Sequence, residues 1–260
     1  MTQMLERKVV VISGVGPGLG AVLATRCAGE GADVVLAARS AERLEAVAEE
    51  VMAQGGTALA VPTDITDDAQ VQALVRATLD RFGRADVLIN NAFRVPSMKP
   101  LAATTFDHIR DAVELSALGM LRVVQAFTPA LAQAHGSVVN VNSMVIRHSQ
   151  AKYGAYKMAK SALLSLSQSL ATELGEQGVR VNSVAPGYIW GKTLRGYFEH
   201  QAGKFGVTAE QIYQMTAANS DLKRLPTEDE VASAIVFLAS EMSSGITGQT
   251  LDVNCGEYHA

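Results

Sequence analysis

Residues 143–160 concentrate groups that can move a proton. They include Ser143 and two tyrosine–lysine pairs at a spacing of four, Tyr153 with Lys157 and Tyr156 with Lys160. On a helix, residues four apart share a face, one turn from each other. An ammonium group beside a phenol favours the phenolate. A tyrosine, with an ordinary pKa of about 10, can then exchange a proton near neutral pH. Spacing alone does not choose between the two pairs.

Such groups act only when a scaffold holds them, and the chain supplies a regular one. Short apolar, β-branched runs at 8–13, 33–38, 57–62, 86–91, 137–143, 179–185 and 249–254 read as strands buried on both faces. Helical segments lie between them. One covers 19–29. A second, capped by Arg39-Ser40, runs to about residue 54, where Gly55-Gly56 suits a left-handed cap. A third begins after the cap cluster 63–68 and reaches about 82. Thr104 or Thr105 opens a long helical run to about 134, which Pro129 should kink or end. Helix resumes over about 152–176, and Thr227 with Glu230 forms a capping box ahead of a last helix to about 239. Strand and helix alternate throughout, with no linker or low-complexity tract. This predicts α/β architecture: one Rossmann-like, doubly wound sheet of about seven parallel strands with helices on both faces, a single domain over 1–260. Ligands should then sit at the carboxyl ends of the strands.

Composition narrows the partners. Hydrophobic residues make up 48% of 260, enough for a large core. A net charge of −4 argues against nucleic acid or an anionic membrane surface. Cys27 and Cys255 are isolated, no CxxC or HExxH occurs, and no uncharged apolar run of 18 residues is present. The expectation is a cytoplasmic protein with a small-molecule substrate, no membrane span and no metal site.

A second candidate site follows the first strand: Gly14-Val15-Gly16-Pro17-Gly18-Leu19-Gly20. Glycine lets the backbone approach a phosphate, and the following helix offers unpaired N–H groups to a diphosphate. The spacing is GxxxGxG, and no Gly-Lys-Ser/Thr is present, which disfavours a P-loop NTPase.

Taken in order, these motifs resemble the classical short-chain dehydrogenase/reductase family over about residues 7–256. The stretch from Ser13 to Gly20 resembles its cofactor loop, with Ser for the usual Thr. Asp64-Ile65 resembles its adenine-contacting pair. Asn90-Asn91-Ala92 resembles its NNAG element, with Phe93 in place of the Gly. Ser143, Tyr156 and Lys160 resemble its catalytic trio, and Pro186-Gly187 its turn after the sixth strand, where Ile189 would meet the nicotinamide amide.

The resemblance selects Tyr156 and Lys160: Ser143 lies 13 residues before Tyr156, and Lys160 is followed by Ser161-Ala162-Leu163. It implies hydride transfer between a nicotinamide and a secondary alcohol or ketone carbon. Tyr156 would be the general acid or base. Lys160 would lower the tyrosine pKa together with the oxidised nicotinamide and bind ribose hydroxyls. Ser143 would hydrogen-bond the substrate oxygen. Ser116 stands where the family commonly has Asn; its hydroxyl either holds a water on the proton path or only packs. Ala38, Arg39 and Ser40 end the second strand without a carboxylate, which favours NADP(H), with NAD(H) as the alternative.

Residues 188–225, rich in aromatics, resemble the family's substrate lid. Phe93, Val95, Met144, Tyr153 and Trp190 are candidates to line a pocket for an apolar or alicyclic substrate. A homotetramer or homodimer is also implied by the resemblance. Two other functions stay open: a dinucleotide-binding regulatory protein without catalysis, and non-redox chemistry such as a lyase or epimerase on the same fold.

Overall fold

The computed structural model describes residues 3–94 and 99–259. Val95, a candidate pocket residue, lies outside them.

Seven strands form one parallel sheet: β1 (Val9–Ser13), β2 (Asp33–Ala38), β3 (Thr57–Pro62), β4 (Val87–Asn90), β5 (Ser137–Val141), β6 (Arg180–Pro186) and β7 (Thr250–Val253). Their order is β3-β2-β1-β4-β5-β6-β7. The order reverses at β1, so β1 and β4 flank the crevice where open α/β sheets bind ligands.

The strands are apolar on both faces because both faces are covered. Val10 and Ile12 of β1 and Val34 and Leu36 of β2 point to one layer. That layer is packed by α1 (Leu19–Gly29), α2 (Ala41–Ala53) and α9 (Glu228–Ala239). Val9, Val11, Val35 and Ala37 point to the other, packed by α3 (Asp68–Phe82), α5 (Gly119–Ala134) and α6 (Gly154–Gly175). Alternate residues reach opposite faces of a pleated strand, so a run such as Val-Val-Val-Ile feeds both cores.

The long helical run differs from expectation. Thr105 caps α4 (Phe106–Val113), accepting a hydrogen bond from the His108 amide. The chain then widens into a π turn over Glu114–Leu118 before α5. Pro129 lies inside α5 and does not end it, so the irregularity sits at Ser116 instead. By length and composition Phe106–Ala134 matches a membrane span, yet Met120, Val123, Val124, Phe127 and Leu131 are buried in the second core. Ser40 occupies the N-cap position of α2 without a side-chain capping bond, another departure. Thr227 and Glu230 do form the capping box of α9.

Residues 188–225, which show no clear period, contain α7 (Lys192–Phe205) and α8 (Ala209–Ala217). Their apolar side chains bury one another. Phe198, Ala217 and Leu225 form a small core with Tyr188, Trp190, Leu194, Ile212 and Tyr213, separate from the two sheet cores.

Candidate active site

A chain of buried polar side chains crosses the sheet just below the strand ends. Ser13 Oγ donates to Asn90 Oδ1 at 3.1 Å, Asn90 Nδ2 to Asn140 Oδ1 at 2.9 Å, and Asn140 Nδ2 to Ser167 Oγ at 2.9 Å. Ser167 donates to the Leu163 carbonyl at 2.7 Å, and its Oγ lies 3.3 Å from Ser183 Oγ. Every member is buried and partnered, as such groups must be. The network joins β1, β4, β5, β6 and α6 directly beneath the residues that follow β1, β4 and β5.

Those residues build the glycine loop. Gly14 and Val15 both donate backbone N–H groups to the Ala37 carbonyl, at 2.8 and 3.2 Å. Asn91 Nδ2 donates to the Gly14 carbonyl at 2.8 Å. Gly14 has φ 82°, and a Cβ there would lie 2.3 Å from the Ala92 backbone. Gly18 has φ 108° and opens α1. These two positions need glycine: one for close approach, both for left-handed backbone. Gly16, Pro17, Leu19 and Gly20 complete the turn, with Pro17 exposed.

Arg39 follows β2 on the surface. It acts on Asp64, whose carboxyl is held below its usual range by hydrogen bonds from the Thr66 amide and hydroxyl, with a smaller contribution from Arg39. Ile65 is buried against Gly119. At the other end of the sheet, the Gly187 amide donates to the Val253 carbonyl at 3.0 Å, fixing the turn of Pro186, Gly187 and Ile189. Buried Met144 packs against Gly187.

The two tyrosine–lysine pairs separate by burial. Lys157 Nζ donates to the His148 carbonyl at 2.8 Å and to Ser149 Oγ at 3.0 Å, tying α6 to the preceding loop. Lys160 is 2% exposed and donates to the Val141 carbonyl at 2.7 Å. Among the described residues that is its one hydrogen bond, leaving ammonium hydrogens for other acceptors. Its Nζ lies 5.9 Å from the centre of the Tyr156 ring.

Burial lowers the Lys160 pKa to about 7 and raises that of Tyr156 to about 12, the latter opposed by hydrogen bonding with Ser143. Burial and Ser143, not Lys160, account for the Tyr156 shift. The physical reason is desolvation, which disfavours the charged form of both groups. Ser143, extended at φ −163°, caps the short turn Met144–Ile146 after β5, which ends two residues earlier than expected. Ser116 is buried at the π turn.

Around Tyr156 stand other rings. Phe93 meets it edge-on with centroids 5.8 Å apart, and Tyr153 lies 6.5 Å away. The Tyr153 and Tyr188 hydroxyls are 3.1 Å apart. Burial, followed by the bond to Tyr188, raises the Tyr153 pKa. Trp190 packs inside the small core of residues 188–225, 4.5 Å from the Tyr213 ring and 5.7 Å from Phe198. Its amide donates to the Pro226 carbonyl at 2.7 Å, so it ties this segment to the chain just before α9. Tyr188 joins this cluster although the sequence places it only within residues 188–225; its position directly after the Pro186-Gly187 turn is the signal that marks it.

The arrangement suits a dinucleotide. Bare backbone at a strand-to-helix turn can approach a diphosphate, and a buried lysine with spare donors stands near a phenol that is hydrogen-bonded with a serine at the same sheet edge.

Comparison with known proteins agrees with that chemistry. Residues 14–258 match the family model described as enoyl-(acyl carrier protein) reductase. A short chain dehydrogenase/reductase of Aspergillus oryzae is 33% identical over 256 residues, covering 97% of this chain and 95% of the relative. The (5R,7aS)-5-hydroxy-7a-methyl-1-oxo-2,3,5,6,7,7a-hexahydro-1H-indene-carboxyl-CoA reductase of Mycobacterium tuberculosis is 35% identical over 259 residues, covering 97% and 94%. The structure of L-sorbose reductase from Gluconobacter frateurii, complexed with NADPH and L-sorbose, superposes with a TM-score of 0.93 at 28% identity, covering 100% of both chains.

Proposed function

The chain belongs to the short-chain dehydrogenase/reductase family and passes a hydride between a nicotinamide dinucleotide and a secondary alcohol or ketone; within that activity we propose an NADP(H)-preferring enzyme for an apolar, alicyclic substrate. The observation carrying this reading is the placement of Lys160, buried one helical turn from Tyr156, which is itself hydrogen-bonded with Ser143, at the sheet edge that holds the glycine loop.

The bound nicotinamide supplies the hydride in reduction and accepts it in oxidation. Gly14 to Gly20 would hold its diphosphate, Arg39 and Ser40 the adenosine ribose end, Asp64 and Ile65 the adenine, and Asn91, Ala92, Pro186, Gly187 and Ile189 the nicotinamide half. Lys160 would offer its free ammonium hydrogens to ribose hydroxyls. Burial, which raises the Tyr156 pKa to about 12, favours the phenol, and its proton would go to a carbonyl oxygen. Ser143 would donate to that oxygen and stabilise charge as it develops. In oxidation the phenol must first lose its proton, and the positive charge brought by an oxidised nicotinamide would favour that step.

Preference for NADP(H) is supported by Arg39, exposed at the end of β2 where no carboxylate stands. An apolar, cyclic substrate is supported by the rings of Phe93, Tyr153 and Tyr156, with residues 188–225 as the lid above them. We also propose self-association as a homotetramer or homodimer in the cytoplasm. Exposed Phe106, Leu118 and Met158 support the first, and two unpaired cysteines the second. A panel of cyclic and open-chain ketones, followed by nicotinamide absorbance, tests the reading. Tyr156→Phe is expected to lose about 100-fold or more of turnover while binding NADPH as wild type does. Wild-type turnover in that variant would remove Tyr156 from its role.

A further inference from the structure

The notch over the glycine loop already holds an anion from the chain itself. Glu228 opens α9, and its carboxylate reaches between two glycines on separate elements. A Cβ on Gly191 would lie 2.0 Å from Glu228 Oε1 and 2.3 Å from its Cδ. A Cβ on Gly18 would lie 2.9 Å from the same oxygen, with Thr193 Oγ1 at 3.9 Å. Bare backbone on both sides is what gives the carboxylate room.

The rest of the surroundings offer the carboxylate little. Among the described residues it accepts no hydrogen bond and forms no ion pair within 4.0 Å. It is half-buried, and that burial raises its pKa, with Arg195 as the opposing charge. Arg195 is itself stacked on Trp190, 4.9 Å from the ring. A structural role would pair this carboxylate, as its neighbour Glu230 is paired with Arg224 and Thr227. Instead it lies against Gly18, the N-cap of α1, the helix to which the dinucleotide reading assigns the diphosphate, and two anions cannot share that notch without repulsion.

We propose that Glu228 is an internal competitor for the cofactor diphosphate, occupying the glycine-loop notch in the free protein and swinging out when the dinucleotide enters. The proposal rests on the dinucleotide reading of the loop. It makes Glu228 a residue that sets cofactor affinity without touching the reacting atoms. The free protein then holds its anion site screened from abundant small phosphates, at the expense of cofactor affinity.

Titration of wild type, Glu228→Gln and Glu228→Ala with NADPH and with ADP-ribose, read by calorimetry, tests this. Glu228→Gln keeps the shape and removes the charge. Its dissociation constants for both ligands are expected to fall at least about tenfold, and Glu228→Ala should do the same. Adenosine 2′-phosphate, which lacks the diphosphate, should bind all three proteins alike. Unchanged or weakened NADPH binding by Glu228→Gln would overturn the proposal, because the carboxylate would then be indifferent or a direct ligand. Failure of wild type and both variants to bind NADPH or NADH would overturn the dinucleotide reading itself and this proposal with it.

Discussion

Phe93 stands edge-on to Tyr156, the ring planes 77° apart and the centroids separated by 5.8 Å. The family's NNAG element ends in glycine at this position, so the ring is a feature of this chain. Phe93 is 55% exposed beside Tyr156. Its free surface is available to a substrate ring. Phe93→Ala is expected to raise KM for cyclic ketones up to about tenfold, the worth of one aromatic contact, with kcat changed little. Steady-state kinetics on a cyclic and a short open-chain ketone checks this, and an equal effect on both would contradict a ring-binding role.

Burial of Lys160 makes a prediction in the absence of any substrate. Its pKa of about 7 in the folded protein compares with 10.5 unperturbed. Between these values the unfolded chain binds a proton that the folded chain has released, so stability rises with pH. Below pH 7 both states are protonated, and the full cost of the buried charge is present. Cys27, raised from 9.0 to about 12, and Tyr156, raised from 10.0 to about 12, act in the opposite direction above their unperturbed values. The clean window is therefore pH 7 to 9. Urea midpoints of the ligand-free protein should rise across it, and Lys160→Met should flatten the rise. Equal slopes for the two proteins would mean that Lys160 stays charged.

The polar chain beneath the strand ends predicts a stability defect without an active-site contact. Asn140 gives one hydrogen bond and receives another, both buried. Asn140→Ala leaves Asn90 Nδ2 and Ser167 Oγ each short of a partner and should cost about 2–4 kcal/mol. Thermal melting measures it. A loss under about 0.5 kcal/mol would show that water replaces the amide.

Arg39→Ala should raise KM for NADPH by about tenfold or more and leave KM for NADH nearly unchanged. Parallel titrations with the two cofactors decide it. Equal KM values for both cofactors in the wild type would end the NADP(H) preference.

Much of this site was legible in the sequence, and the illegible parts have physical causes. Alternation of β-branched runs with helical segments gave the seven strands, because a parallel sheet covered on both faces demands continuous apolar strands. The choice between Tyr153–Lys157 and Tyr156–Lys160 was invisible to spacing. The structure separates the lysines by depth alone, with Lys157 tied to loop oxygens and Lys160 sealed beneath the strand end. The π turn at Ser116 left no mark, since Glu-Leu-Ser-Ala-Leu has ordinary helical composition. The helices of residues 188–225 lacked a clean period because their aromatics pack on one another. Glu228, as an acidic residue in the first turn of α9, has a type favoured at any helix start. Only its position between two glycines of other elements distinguishes it.

The small core of residues 188–225 shares no buried residue with the two cores that clamp the sheet. Tyr188 forms the seam, packed into the small core while its hydroxyl meets that of Tyr153, at the N-cap of α6. Tyr156 and Lys160, on α6, are thus rooted in one set of packing constraints and residues 188–225 in another. The side chains of the small core can therefore be exchanged without repacking the cores that hold the sheet.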